Sequence, residues 1–546
     1  MSEQTLTALM QRQHPADRAI HYHAGENQVK RVSYAELYQR ALAATPQPER
    51  RGPLLVALAD ALANDGRTAD AAECYLEAAN LESADSPQQL DLLRRAAERF
   101  LMAGRLDRGL ETTRAVLARA DMSLPTTRVR TIAGIVWNQL RMRRALDWKP
   151  RTEIDPRSIH ADICWSIGAG LGMVDTLLGA YFSGRAARLA LEYGSPQQIA
   201  RALASATIGA AVLGRHDRAD RLMAATRRAA DAAAMPVSAW YAELAQTAKV
   251  FVLDNDFVRA LESATRLEHE WYRAGRGPGW ETDIALHFAL SSLQMLGRYN
   301  EMAERATAQI QLAKRKGDLF QDVTLRVRFA MRHVIADRAD TARVDVLDAL
   351  ASWLPGKDSF GNQRAWGLWS RIRIALYTNA FATLESELGE ECRRMQRSLV
   401  GRIPILRLEW LHAYGTYLAG LAIAARHRGA PSEALAHLRA ASAQADKLAK
   451  LDFPGALTAA TSLRAAIAML GDDRDARVRA LRAAISESNA RGIAVTMFSL
   501  ERRLGEELGG TEGAQLIAAG DERARTAGMV APERATEVFF PSGRFG

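Results

Sequence analysis

A helix-stopping residue recurs about every forty positions along this chain. Gly66-Arg67 is followed by Ala71, Gly104-Arg105 by Gly109, and Gly214-Arg215 by Ala219. The pattern returns at Asn255-Asp256 with Ala260, Gly297-Arg298 with Met302, and Asp337-Arg338 with Ala342. Later copies are Asn379 with Leu384, Gly429 with Ala434, and Gly471 with Ala476. From Gly214 onward the steps are 41, 42, 40, 42, 50 and 42 residues. Each Gly, Asn or Asp separates two Ala-rich apolar stretches, and the compact residue five positions on allows paired helices to approach closely. A fixed period of this length predicts stacked helical hairpins, each burying its apolar faces on its neighbours. The expected fold is all-α: a right-handed solenoid of about ten to twelve hairpins enclosing a long concave groove.

Such a core grows lengthwise, so 546 residues need not split into several globules. The composition agrees, with 48% hydrophobic but only 7% aromatic residues, as in a chain rich in helix-forming Ala, Leu, Arg and Glu. The net charge of +9 raises the question of nucleic acid. Only eight of the 72 basic residues are lysine, and the arginines are interleaved with Asp and Glu. The densest basic runs, Arg141–Arg144 and Lys314–Lys316, are short, and nucleic acid is not the expected partner. Cys74, Cys164 and Cys392 lie far apart with no CxxC spacing, which fits a reducing cytoplasm and argues against disulfides or a zinc site. The N-terminus has no apolar signal core, and the apolar run around Gly168–Tyr181 is broken by Asp175. No membrane span or export is expected.

Three segments are expected: an N-terminal hairpin and helix at 1–46, the helical repeats at 47–531, and an extended tail at 532–546. In the first, Ala19–His23 and Val29–Val32 alternate like strands around a turn at Ala24–Asn27, and Ser33 with Glu36 forms a capping box. From Pro53 the pattern is helical, with Pro87 in the first turn of a helix reaching Met102. An irregular insertion at 121–160 interrupts the period, with a further hairpin turn expected near Gly179. The loops Gly275–Gly279 and Pro355–Gly361 are suited to ligand contact. The tail could dock through Phe539 and Phe540 as a cap.

Signatures of chemistry are scarce. Gly356-Lys357 precedes Asp358 and lacks the earlier glycine of a phosphate-binding loop. Gly168, Gly170 and Gly172 fall in a helical apolar segment and read as close helix packing. No kinase catalytic loop, nucleophile elbow or HExxH run is present. Asp283 and His287, four apart, would share a helix face as a hydrogen-bonded pair, without the further ligands a metal or acid/base centre needs. Trp366, Trp369, Arg373 and Tyr377 fall on one side of a helix, either as core or as a binding platform.

Four stretches carry a family resemblance: LLVALADALANDGRTADAAECYLEAA (54–79), ADICWSIGAGLGMVDTLLGAYFSGRAARLALEYG (161–194), GWETDIALHFALSSLQMLGRY (279–299) and LGEELGGTEGAQLIAAGDERARTAGMVAPERATEVFFPSGRF (504–545). From about residue 50 to 541 the chain resembles the C-terminal helical-repeat region of bacterial eukaryotic-like serine/threonine kinases that carry a STAND-type AAA ATPase module. The resemblance implies a tetratricopeptide-like sensor or protein-interaction arm. The kinase and ATPase modules themselves are absent from the chain, so it implies no phosphoryl transfer here. Residues 15–44, PADRAIHYHAGENQVKRVSYAELYQRALAA, resemble the opening hairpin and first helix of adenylate-forming enzymes, without their Gly/Ser/Thr-rich ATP loop.

The expectation is therefore a non-catalytic cytoplasmic scaffold or sensor in bacterial signalling, binding a protein or peptide in its groove, with no cofactor, metal or catalytic residue. If the first helix of each pair lines that groove, Glu281, Asp283, His287, Arg364, Trp369, Arg371 and Arg373 are the candidate contacts. A kinase, an ATPase or an acyl-activating enzyme is the candidate partner. The alternative is an accessory or divergent catalytic component of an acyl-activating or natural-product pathway.

Overall fold

In a computed structural model, the structure describes residues 19–23, 29–45, 48–84, 86–149, 155–172, 175–274, 279–353 and 361–542. Among them the chain is all-α apart from one strand pair. Ala19–His23 and Val29–Ser33 run antiparallel, with Ile20 opposite Val32 and Tyr22 opposite Lys30. The expected turn at 24–27, the loop residues 275–278 and 355–360, and the last four residues lie outside the described residues. Ser33 closes its capping box on Tyr34–Ala44: Glu36 N donates to Ser33 Oγ at 3.2 Å and Ser33 N to Glu36 Oε2 at 2.9 Å.

The turn residues explain the helix order. Gly66, Gly104, Gly214, Asn255, Gly297, Asp337, Asn379 and Gly429 all adopt left-handed backbone, with φ between 53° and 80°. Glycine enters that region freely, and Asn and Asp tolerate it better than other residues. At most of these turns the next amide reaches back five residues, as Arg67 N does to Leu62 O and Arg298 N to Leu293 O, both at 2.9 Å. This is the wrap that caps a helix C-terminus and releases the chain into the following helix. The compact residues five positions on are buried, including Ala71, Ala219, Ala260, Met302 and Ala342. Gly471 is the exception. It has no left-handed backbone and Ala476 is half-buried; there Asp473 starts the next helix by accepting from Ala476 N at 3.0 Å.

Two expected helix boundaries are corrected by the structure. Helix starts at Pro48 with Pro53 inside it, not at Pro53. The hairpin break expected near Gly179 falls earlier, between helices Ile159–Leu171 and Thr176–Tyr193, with Asp175 accepting from Leu177 N and Leu178 N. Gly179 lies inside the second helix, where a side chain would collide with the backbone of Gly172. Gly168 likewise faces the backbone of Phe182 and Ser183, the close packing expected of it.

Most helices pack on the next one in sequence, and several also on the next but one. Two large apolar cores result, one assembled from residues 35–289 with Phe453 and Ala456, the other from residues 286–540. Contact does not stop at sequence neighbours. Tyr299 Oη donates to Val495 O at 2.9 Å across 196 residues, and Arg534 Nη1 to Asp337 Oδ1 at 2.7 Å across 197. Ala494 N donates to Met295 O at 2.9 Å, and Val530 N to Ile335 O at 2.8 Å. The Gly214 turn rests on Phe453, and the Gly104 turn on Trp353 and Phe320. Several repeat turns are thus places where the chain meets itself again.

The segment from 532 differs from the extended tail expected. Pro532–Glu537 is a short helix, and Phe539 and Phe540 beyond it are buried, Phe539 edge-on to Phe498 at 6.0 Å. Among the described residues, no helix is long and apolar enough to cross a membrane.

Candidate functional site

The helices Trp280–Met295, Leu319–Arg328, Asn362–Tyr377 and Pro404–His427 carry most of the expected contacts and their surroundings. Gly279 and Thr282 start the first of these with a backbone and hydroxyl exchange at 2.9 Å. Glu281 is half-buried and accepts from Tyr241 Oη at 2.6 Å. Asp283 and His287 do not form the pair their spacing suggested. Asp283 Oδ1 accepts from Gln321 Nε2 at 2.8 Å, while the His287 ring packs on Trp366 at 5.3 Å and Phe329 at 5.9 Å. Helical spacing brings two side chains to one face, but neighbouring helices decide which partner each takes.

Burial, and then Asp318, push the Asp283 carboxyl well above the usual carboxylate range. Asp318, which caps the Leu319–Arg328 helix through Gln321 N at 2.9 Å, is pushed up to about 6 by burial and by Asp322. Folding therefore raises the affinity of this carboxyl for its proton. Its contribution to stability is full below the unfolded value near 3.8, falls as pH rises, and is lost above about 6. Asp318→Asn, which keeps the cap, should stabilise the chain at pH 7.5 by about 1–3 kcal/mol. The gain should shrink as pH falls from 6 towards 4 in denaturant titrations of both proteins; a gain independent of pH would contradict the assignment.

Burial, then Arg328, lowers the His287 imidazole to about 3, so it is neutral at ordinary pH. Trp366 and Trp369 are buried, their Nε1 atoms without hydrogen-bond partners, and the Arg328 guanidinium lies 5.2 and 5.8 Å from their ring centres. The tryptophan platform is therefore interior packing covered by a cation, and Trp369 is not available as a surface contact. Arg371 is tied to Glu391 Oε1 at 2.9 Å and to Glu387 O at 3.2 Å. Arg364 is half-buried near the start of its helix. Tyr377 donates to Asp337 Oδ1 at 2.5 Å, beneath the Arg534 guanidinium.

Two of the expected contacts line sizeable cavities: Asp283 one of about 410 Å³ with Glu268, Arg305, Lys316 and Asp318, and Arg373 one of about 190 Å³. Arg328, Glu409, His412, Ser291 and Ser462 share it, with apolar walls from Phe251, Phe257, Met295 and Phe453. Arg328 holds Glu409 through two bonds of 2.6 Å, a fork-to-carboxylate match. Burial lowers the Arg373 guanidinium from its ordinary value, and burial with Arg373 lowers His412 to about 4. Sequence reasoning missed Arg328, Glu409 and His412. A charged residue inside an otherwise apolar helix, as in LRVRF or LEWLH, was the available signal; their convergence across 81 residues was not.

The Arg128–Ala145 helix of the irregular insertion is built inside out. Its buried positions include Thr131, Asn138 and Met142, packed on Thr176–Tyr193, with Asn138 Oδ1 accepting from Arg188 Nε at 3.0 Å. Its apolar residues Val129, Ile132, Val136, Trp137 and Leu140 are exposed, Val129 by 77% and Trp137 by 57%. Arg141 stacks over Trp137 at 5.1 Å, and no Asp or Glu occurs between 128 and 145.

No protein-family model matches the chain, and a search of curated proteins gives no match either.

Proposed function

We propose that this chain is a non-catalytic protein-interaction scaffold, a tetratricopeptide-like α-solenoid that holds an acidic amphipathic helix of a partner protein against its Arg128–Ala145 helix. The observation that carries the reading is the inverted helix: a stripe of apolar side chains faces water while Thr131 and Asn138 face the protein beside Met142. Soluble chains rarely leave such a stripe uncovered unless something docks on it. A helix laying apolar residues at i, i+3 and i+7 along the stripe would cover it. The flanking Arg128, Arg130 and Arg141, with no carboxylate on the helix, select an acidic partner over a second copy of this basic chain. The left-handed turns at a forty-residue period, with helices packed in sequence order, support the solenoid.

The concave groove has less support as the docking surface, because Glu281, Asp283, Trp369 and Arg371 are engaged within the chain. The family resemblance suggests a kinase or ATPase of bacterial cytoplasmic signalling as the partner. A photo-reactive amino acid in place of Trp137, irradiated in the protein's own cells, should cross-link to a segment rich in Asp and Glu with apolar residues at helical spacing. The cross-link should weaken in Val136→Glu. Cross-linking only to another copy of the chain, or only to lipid, would overturn the proposal.

A further inference from the structure

We infer that the cavity around Arg373 is a binding site for a small carboxylic acid with an apolar body. Three independent features of the cavity converge on this ligand class. The first is charge. Glu409, the carboxylate on this wall, gives both oxygens to Arg328, His412 beside them is neutral, and Arg373 forms no hydrogen bond or ion pair with any described residue. The groups facing Arg373 are thus Arg328 and Glu409, matched to each other, a neutral imidazole and the phenol of Tyr299. One positive charge is left for a ligand. A half-buried cation without a protein partner attracts an anion more strongly than one in open water does.

The second feature is hydrogen bonding. Ser291 Oγ and Ser462 Oγ both line the cavity, are about 95% buried as residues, and have no hydrogen-bond partner. Each is a buried hydroxyl on the lining with its hydrogen-bonding capacity unused. The third is shape. The helix that begins at Pro236 ends in one π turn, Val250–Asp254, closed by left-handed Asn255, and this turn presents Phe251 and Val252 to the cavity. With Phe257, Met295 and Phe453 they supply the apolar part of a lining that also holds a few polar groups, the composition of a site that fixes one polar end of an otherwise apolar molecule. This site is separate from the exposed Arg128–Ala145 helix, so either can fail without the other.

Titration calorimetry of the full chain with 3-phenylpropanoate and with the neutral 3-phenylpropan-1-ol tests the inference. One carboxylate should bind per chain, with the alcohol at least tenfold weaker. Arg373→Met should weaken the carboxylate by roughly tenfold to a hundredfold, the loss of one charge-assisted contact, and should melt higher than the wild type without ligand. Arg373→Lys, which keeps the charge, should retain part of the affinity, and Ser291→Ala with Ser462→Ala should weaken binding several-fold. Absence of carboxylate binding to the wild type, equal binding of acid and alcohol, or unchanged affinity in Arg373→Met would each overturn it.

Discussion

Replacing Arg503 by methionine should lower the stability of the chain by about 3–5 kcal/mol, read as a shift of the denaturant midpoint. Arg503 is 1% exposed and Glu537, its partner, is wholly buried. The guanidinium donates to the Glu537 carboxylate, to Glu506 Oε2 at 2.7 Å, and to the Phe540 carbonyl at 2.7 and 3.2 Å. Glu537 completes the arrangement by accepting from Ser542 N and Ser542 Oγ, both at 2.7 Å. Removing the cation strands the buried Glu537 carboxylate and the Phe540 carbonyl, and that loss dominates the effect. Changing Arg503 and Glu537 together to methionine should recover much of the stability, because no charge is then stranded. Limited proteolysis should cut Arg503→Met within 530–542 before the wild type is cut there. A single variant that unfolds with the wild type would show that the tail is not held in this way.

That segment shows how far sequence alone reaches. Phe539 and Phe540 were legible as docking aromatics, and they are buried. The helix at Pro532–Glu537 and the cation beneath it were not, because six residues carry too little periodicity and Arg503 resembles every other helical arginine in the sequence. The repeat turns were legible for a stronger reason. Left-handed backbone is nearly restricted to Gly, Asn and Asp, so the local residue type reports the conformation directly. The expected contacts failed because a helix face says which side chains point the same way, not what lies opposite. Asp283 found Gln321 and His287 found Trp366, both on other helices. The inverted Arg128–Ala145 helix was hidden for a related reason: its apolar residues have helical spacing, and spacing cannot tell an inward stripe from an outward one.

The chain returns to itself about two hundred residues on, with repeat turns packed on later helices. A β-carbon placed on Gly297 would lie 3.6 Å from that of Ala494, within the range of a disulfide. Gly297→Cys with Ala494→Cys closes a loop of roughly two hundred residues, for which chain entropy predicts about 5 kcal/mol of stabilisation. The left-handed backbone at Gly297, φ 71°, takes back about 1–2 kcal/mol of it. The native thiols interfere little, since burial raises Cys74 to about 11 and Cys164 and Cys392 to about 12. The measurement is mild oxidation of the double variant, followed by thiol labelling and a denaturant titration with and without reductant. The account predicts loss of both new thiols and a reductant-sensitive rise in the midpoint; two cysteines that stay reactive towards maleimide would contradict it.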